Sequence, residues 1–427
     1  MDTIKAIRGM HDITPERSAH WAAVERSLQA ALTAYGYQEI RMPIVESTRL
    51  FKRSIGEVTD IIEKEMYTFA DRNDELMSLR PEGTAGCVRA CIERRLLETP
   101  QKLWYNGPMF RYERPQKGRQ RQFHQLGGEA LGFSGVEVEV ETLLLNQRFW
   151  KALGLQNSVS LQINSIGDSK SRSDFKAALI AFLERHKSAL DEDSQRRLDS
   201  NPLRILDSKN RDTQALLSYA PKLQDYLSEY SAAHFELLCS RLSDLGIAFE
   251  CNQHLVRGLD YYNDTVYEWV SDELGAQATV CAGGRYDGLV EQLGGKTTPA
   301  FGFAMGLERL LLILESHKFE ALQLPRSVDI YFIVAQPEYE ARAFAIAEAI
   351  RDELPELVLQ QQLLSGSIKS QFKKADKCNA RFALVLAESE YNDHALTIKN
   401  LETGDQKLCA LGDTLKDSIS SLTALLK

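Results

Sequence analysis

The chain has 427 residues, 44% hydrophobic and 26% charged, with 51 basic against 60 acidic side chains and a net charge of −9. That length excludes one small domain, and that composition excludes a disordered or fibrous chain. The acidic balance excludes a wholly basic nucleic-acid binder, although not basic patches on an acidic body. No run approaches the roughly 18 consecutive apolar residues of a membrane span. The opening MDTIKAIRGMHD lacks a basic region followed by an apolar stretch, so no secretory signal and no membrane partner are expected, and a cytoplasmic location is. Cysteines stand at 87, 91, 239, 251, 281, 378 and 409; only Cys87 and Cys91 are close, and no histidine completes a zinc set. Reduced thiols and no protein-built metal site are expected.

Residues 1–54 read as a loop containing Pro15, a helix with Trp21, Val24, Leu28, Ala31 and Leu32 near i, i+3, i+4 spacing, and a strand in YGYQEIRMPIVES ending around Pro43. In SLRPEGTAGCVRACI (78–92) the proline, glycine and threonine mark a strand-to-helix junction. Thr84 there is expected to cap the helix, although Glu82 and Thr84 also suit an ammonium group. Segments 103–112 and 121–133 read as two strands joined by RPQKGRQ, a long hairpin. From about 168 to 247 the texture turns charged and helix-forming, an inserted helical block. Strand texture returns in HLVRGLDYYNDTVYEW (254–269) and in ATVCAGGRYDGLVEQLGG. It is followed by PAFGFAMGLERLLLILESH, where Leu307, Leu310, Leu311 and Leu314 form one apolar helix face. After FEALQLPRS, strands and helices alternate, predicting a small α/β domain with a mostly parallel sheet.

Several stretches carry chemistry. Arg111, Arg114, Lys117, Arg119 and Arg121 crowd one hairpin, and guanidinium forks suit phosphate oxygens bidentately. Phe123 beside them offers a stacking face for a base. LGGKTTP is not a Walker loop, because Val290 stands where its first glycine belongs, and CAGGRYDGL has neither the dinucleotide spacing nor a βαβ setting. Paired glycines there imply close backbone approach to a ligand or another strand. Arg309 begins the leucine-faced helix, with Gly302 and Gly306 leaving room against the backbone. Lys369, Lys373 and Lys377 recur at i, i+4 and i+8, one helix face, with Lys374 and Arg381 near.

Together these stretches resemble the three motifs of class II aminoacyl-tRNA synthetases: Pro43 after the first strand, FRYE with Arg111 and Glu113, and GFAMGLER with Arg309. HLVRGLDYYNDTVYEW and AGGRYDGL (282–289) resemble the two signatures peculiar to the histidyl-tRNA synthetase family. The resemblance implies an α+β fold: an antiparallel-sheet catalytic domain over 1–325, with a helical insertion at about 168–247, and an α/β anticodon-binding domain over 326–427. It implies ATP and Mg²⁺, L-histidine, tRNA(His) and a homodimer whose interface includes the first motif. Carried residue by residue, it gives Arg111 and Arg257 to the α-phosphate as catalytic groups. Glu113, Arg119, Phe123 and Arg309 join them around ATP, with Phe123 and Arg309 sandwiching the adenine and Glu113 accepting from its amino group. Glu82, Thr84 and Gln125 fall around the α-ammonium. Glu129, with a hydroxyl from Tyr261 or Tyr262, reads the imidazole. Arg114 and Gln116 meet the acceptor end of tRNA, Lys369, Lys373 and Lys377 contact it elsewhere, and Mg²⁺ is held mainly by the ATP phosphates. One rival is a silent relative that regulates ATP phosphoribosyltransferase, but such proteins usually lack the last domain and lose signature arginines, and here Arg111, Arg257 and Arg309 are all present. The other is a ligase for a different amino acid, against which the imidazole-reading segments argue.

Overall fold

The computed structural model describes residues 3–411 except 57, 58, 201, 209, 323, 325, 364 and 365. The chain divides into two compact units, Met1–Gln323 and Leu324–Lys427.

In the first unit, Pro15 is not in a loop but opens the helix Pro15–Ala34. The first helical position suits proline because the N–H it lacks would have no intrahelical partner. Val24, Leu28, Ala31 and Leu32 are buried along this helix, as their spacing predicts. The single strand expected near Pro43 is two, β1 (Gln38–Glu39) and β2 (Val45–Ser47), which belong to different sheets. Pro43 has no N–H to give a ladder, so the run breaks there and the chain changes sheet. β3 (Thr68–Ala70) and β4 (Leu76–Leu79) join β2 in a small antiparallel sheet ordered β2-β4-β3.

The main sheet follows: β5 (Gln101–Phe110), β6 (Gln122–Leu131), β7 (Ser160–Ser165), β8 (Phe249–Cys251), β9 (Asn263–Val270), β10 (Thr279–Arg285) and β11 (Ala300–Gly306). Its order is β1-β5-β6-β11-β10-β9-β7-β8. The inner neighbours pair antiparallel, and only the outermost pairs, β1 with β5 and β7 with β8, are parallel. Between β7 and β8 run the insertion helices Ser169–Arg185, Glu192–Ser200, Arg211–Leu217 and Glu229–Asp244. The helix Leu307–Ser316 buries Leu307, Leu310, Leu311 and Leu314, the predicted face, together with Ile313.

The paired glycines of AGGRYDGL serve the sheet itself. A Cβ on Gly283 would lie 2.1 Å from the Gly302 carbonyl oxygen, and one on Gly284 would lie 2.4 Å from that of Thr265. The next residue, Arg285, is buried and gives its Nε to Glu139 Oε1 at 2.7 Å, its Nη2 to the Gly135 carbonyl at 3.1 Å and its Nη1 to Asp287 at 3.2 Å. His234 Nε2 lies 2.7 Å from the same Glu139 oxygen. Burial alone pushes the Glu139 carboxyl up, but the His234 and Arg285 partners outweigh it and hold the carboxyl below its ordinary value. Removing one partner of a buried ion pair costs about 3–5 kcal/mol. Arg285→Ala is therefore expected to lose stability of that order in urea unfolding at neutral pH. A loss under about 1 kcal/mol would show that His234 alone satisfies Glu139.

In the second unit, β12 (Ile330–Val334), β13 (Leu359–Gln361), β14 (Phe382–Leu386), β15 (Ala395–Asn400) and β16 (Gln406–Ala410) form a sheet ordered β13-β12-β14-β15-β16. It is not mostly parallel as expected: β12 pairs parallel with β13 and β14, while β15 and β16 close the edge antiparallel. β16 gives no strand signal because all of its residues but Cys409 are exposed. The helix Ile368–Lys377 is anchored by buried Gln371, whose amide accepts from Val334 N at 3.0 Å and donates to Val334 O at 2.7 Å. Lys369, Lys373 and Lys377 are exposed on this helix.

Candidate active site

β6 builds the centre of the site. Strand alternation puts Phe123, Gln125, Gly127 and Glu129 on one face. Opposite them on β11 stand Gly302, Ala304 and Gly306, and opposite Ala304 on β10 stands Ala282. Small residues at these positions leave a floor with space above it. Gly302 makes room for a neighbour, since a Cβ there would lie 1.9 Å from Glu129 Oε2.

One cavity over this floor is lined by Glu82, Thr84, Arg111, Glu113, Arg119, Phe123, Gln125, Arg257, Tyr261, Tyr262 and Arg309, together with Glu308, Thr279 and several small residues. Arg111 and Arg257, from the β5–β6 hairpin and from the loop before β9, thus face a common space. Arg111 gives its Nε to the Pro81 carbonyl at 2.9 Å, and its guanidinium carbon lies 5.3 Å from the Phe123 ring centre. Arg257 pairs through Nη1 with Glu268, lies 5.7 Å from the Tyr262 ring centre, and keeps a buried Nε with no hydrogen-bond partner. Arg309 is held by two backbone carbonyls, Gly118 at 3.1 Å from its Nε and Thr279 at 2.7 Å from its Nη1. Glu113 Oε2 is buried without a hydrogen-bond partner, 3.1 Å from Arg119 Nη1, and Glu113 Oε1 lies 3.9 Å from Arg111 Nη1.

The junction at 78–92 differs from expectation. Glu82, not Thr84, caps the helix Thr84–Glu93, accepting from Thr84 N at 2.6 Å and Ala85 N at 3.0 Å. Thr84 is thereby free to send its hydroxyl to Glu129 Oε1 at 2.8 Å. Tyr105 donates to the same oxygen at 2.9 Å, and Tyr286 donates to Oε2. Glu129 is 1% exposed and sits behind Thr84 rather than on the cavity wall. Burial pushes its carboxyl up to about 8, although the Tyr286, Thr84 and Tyr105 hydroxyls oppose the shift. Burial likewise raises the Glu82 carboxyl, against the Ala85 and Thr84 N–H groups.

Tyr261 and Tyr262 both line the cavity, with ring centres 4.7 Å apart. Strand alternation does not separate them, because β9 begins only at Asn263. Arg114 and Gln116 lie exposed on the hairpin away from these groups, Gln116 beside a neighbouring hollow with Lys117, His11 and Arg17. Sequence reasoning did not single out Tyr105, Tyr286, Glu268 or Glu308. Glu308 accepts from His124 N through both oxygens at 2.9 Å. Tyr286 lies inside the quoted AGGRYDGL, the one signal that pointed to it.

The family model for histidyl-tRNA synthetase matches residues 9–310, and that for an anticodon-binding domain matches residues 329–417. The chain is 36% identical to the histidyl-tRNA synthetase of S. aureus, covering 99% of each chain with a TM-score of 0.81. The histidyl-tRNA synthetase of Nostoc sp. PCC 7120 shares the fold at 19% identity, covering 100% of each chain with a TM-score of 0.68. A Bacillus halodurans protein described as an ATP phosphoribosyltransferase regulatory subunit/histidyl-tRNA synthetase shares it at 19% identity, over 90% of this chain and 98% of its own, with a TM-score of 0.61. A match over both units, catalytic and anticodon-binding, decides the assignment: the chain belongs to the histidyl-tRNA synthetase family.

Proposed function

We propose that the cavity over β6, β10 and β11 is where this histidine–tRNA ligase performs both of its steps. The observation that carries the reading is the convergence of Arg111 and Arg257 on one space beside the Thr84–Glu129 pair. ATP lies over the small-residue floor, its adenine between Phe123 and Arg309, with Glu113 accepting from the exocyclic amino group. Arg119 meets the outer phosphates. The histidine carboxylate attacks the α-phosphorus and diphosphate leaves. Negative charge grows on the α-phosphate oxygens, so donors already fixed there, Arg111 and Arg257, stabilise the transition state more than the ground state.

Glu82, Thr84 and Gln125 surround the α-ammonium. For the ring, Glu129 offers about four lone-pair directions once it gives up its proton, and three hydroxyls occupy three of those. One remains for an imidazole N–H, while a hydroxyl of Tyr261 or Tyr262 serves the accepting ring nitrogen. Next, the 3′-terminal adenosine hydroxyl of tRNA(His) attacks the adenylate carbonyl and AMP leaves. Arg114 and Gln116 on the exposed hairpin face the acceptor end, the insertion clasps the acceptor stem, and the Lys369, Lys373 and Lys377 face of the second unit meets the tRNA backbone. A cation-lined face suits a polyanion on a body of net negative charge.

Magnesium would enter with ATP, held chiefly by its phosphates. The cavity presents Arg111, Arg119 and Arg257, and the Glu113 oxygen there already faces Arg119 Nη1 at 3.1 Å, a lining that fits an ion carried by the phosphates rather than by protein carboxylates. The ion supplies charge neutralisation of the leaving diphosphate. Catalysis would fall to residues 1–325, with the insertion at about 168–247, and anticodon binding to 326–427. A homodimer is supported by exposed Ile44, Val45, Phe69 and Leu76, all on or beside the small sheet that follows Pro43. A cytoplasmic site of action fits the seven free cysteines. Among the described residues, no helix is long and apolar enough to cross a membrane.

The test is exchange of labelled diphosphate into ATP with each amino acid in turn. Exchange is expected with histidine alone, followed by charging of tRNA(His). Silence despite bound histidine, or exchange driven by another amino acid, overturns the reading.

A further inference from the structure

The loop carrying Tyr261 and Tyr262 has no ladder of its own, since β9 starts one residue later. Its backbone is held from outside. Asp260 N donates to the Ile55 carbonyl at 3.3 Å. On the other flank the holds come from β7 and the insertion. Asn164 Nδ2 donates to the Leu255 carbonyl at 3.0 Å, Ile166 N donates to the Asp264 carbonyl at 2.7 Å, and Asp264 N donates to the Gly167 carbonyl at 2.9 Å. Asp264 adopts a left-handed φ of 48°, a conformation that a short polar side chain tolerates when locally bonded. Its carboxylate accepts from Ser231 Oγ, on the last insertion helix, at 2.5 Å. Arg172, one turn into the first insertion helix and half-buried, reaches furthest of all: its Nη1 donates to the carbonyl of Tyr262 itself. Against its burial, the negative charges of Asp264, Asp260 and Asp168 favour its charged form.

We propose that Arg172 is a positioning residue for histidine recognition, fixing the Tyr262 carbonyl so that the Tyr261–Tyr262 pair stands in its imidazole-reading arrangement. The insertion is then part of the amino-acid pocket as well as an element inserted between β7 and β8. A guanidinium suits the task because its rigid planar fork fixes the direction of the donor on the carbonyl, which a flexible lysine ammonium does less well. The inference rests on the reading that these tyrosines contact histidine.

Diphosphate exchange in the full-length protein tests it with three variants: Arg172→Ala, Arg172→Lys and the double variant Tyr261→Phe/Tyr262→Phe. Displacing a pocket by about 1 Å from a distance costs on the order of 10²-fold. Arg172→Ala is expected to raise the histidine KM about ten- to a hundredfold on that basis, with the ATP KM within about twofold. Arg172→Lys is expected to recover part of the loss. Should the alanine variant not fold, Arg172→Lys carries the test by the same KM split. A histidine KM unchanged in the Arg172 variants while the tyrosine double variant raises it overturns the inference alone. A parallel rise in the ATP KM also overturns it, since that marks general structural damage. No change in the tyrosine double variant sinks the pocket reading on which the inference stands.

Discussion

Arg257→Ala is expected to lower histidine-dependent diphosphate exchange a hundredfold or more, mainly through kcat. Removing one donor preorganised for a developing oxyanion costs about 2.7–4 kcal/mol, or 10²- to 10³-fold. Arg257 has the attributes of such a donor. Glu268 anchors one end of its guanidinium, Tyr262 lies under its face, and its Nε has no other partner. Its position is therefore set before any phosphate arrives, and little reorganisation remains at the moment of reaction. The substitution also leaves Glu268 without its guanidinium, although Thr279 Oγ1 still donates to that carboxylate at 2.7 Å. The Arg257→Ala/Glu268→Gln double variant separates the two effects: lost transition-state stabilisation persists in it, whereas damage from an unpaired carboxylate is relieved. Arg257→Lys should fall between, since it keeps the charge but not the fork. A loss below about tenfold in Arg257→Ala would remove Arg257 from the α-phosphate.

The parts of this fold that could be read in advance are those whose pattern is local. Leu307, Leu310, Leu311 and Leu314 repeat at helical spacing and are buried together. The 103–112 and 121–133 segments pair along their length as β5 and β6. Pro43 signalled a strand end, but not that the strand resumes in another sheet, because sheet membership depends on partners far away in sequence. β16 was invisible because an exposed edge strand need not alternate. In the site, the cationic and aromatic residues that line the cavity stood in recognisable stretches, whereas the groups that orient them did not. Tyr286 lies 157 positions from Glu129 and Arg172 lies 90 from Tyr262, and no spacing rule spans such separations. The cap at 78–92 was misassigned for a related reason. Thr84 is the residue type that prefers a cap, but the buried Glu129 across the sheet takes its hydroxyl, and Glu82 supplies the cap instead.

Glu129 carries the second large expectation, with two separate readouts. A site built to hydrogen-bond its substrate discriminates by about 10⁴ against one that lacks the group, because the buried partner is left unpaired. Glu129→Gln reverses that logic on the enzyme side: the amide NH₂ meets the ring N–H with a donor. The expected fall in kcat/KM for histidine is therefore about 10²- to 10⁴-fold, with the ATP KM little altered. The other readout is stability. The Glu129 carboxyl sits at about 8 in the folded chain because of its burial, against an ordinary carboxyl value of 4.5. A raised folded-state value means that the native state binds a proton more tightly than the unfolded one. The associated stability is fully present below the ordinary value and is lost as pH rises through about 8. Each tenfold change in proton affinity corresponds to about 1.4 kcal/mol, so the full change is on the order of a few kcal/mol. Urea unfolding of the wild type should accordingly weaken between about pH 4.5 and 8, and Glu129→Gln should flatten that decline. Glu82 is raised by burial too and shifts both proteins alike, so the difference between them isolates Glu129. If both curves fall in parallel, Glu129 is already ionised at neutral pH, and the three hydroxyls stabilise its charge better than burial opposes it.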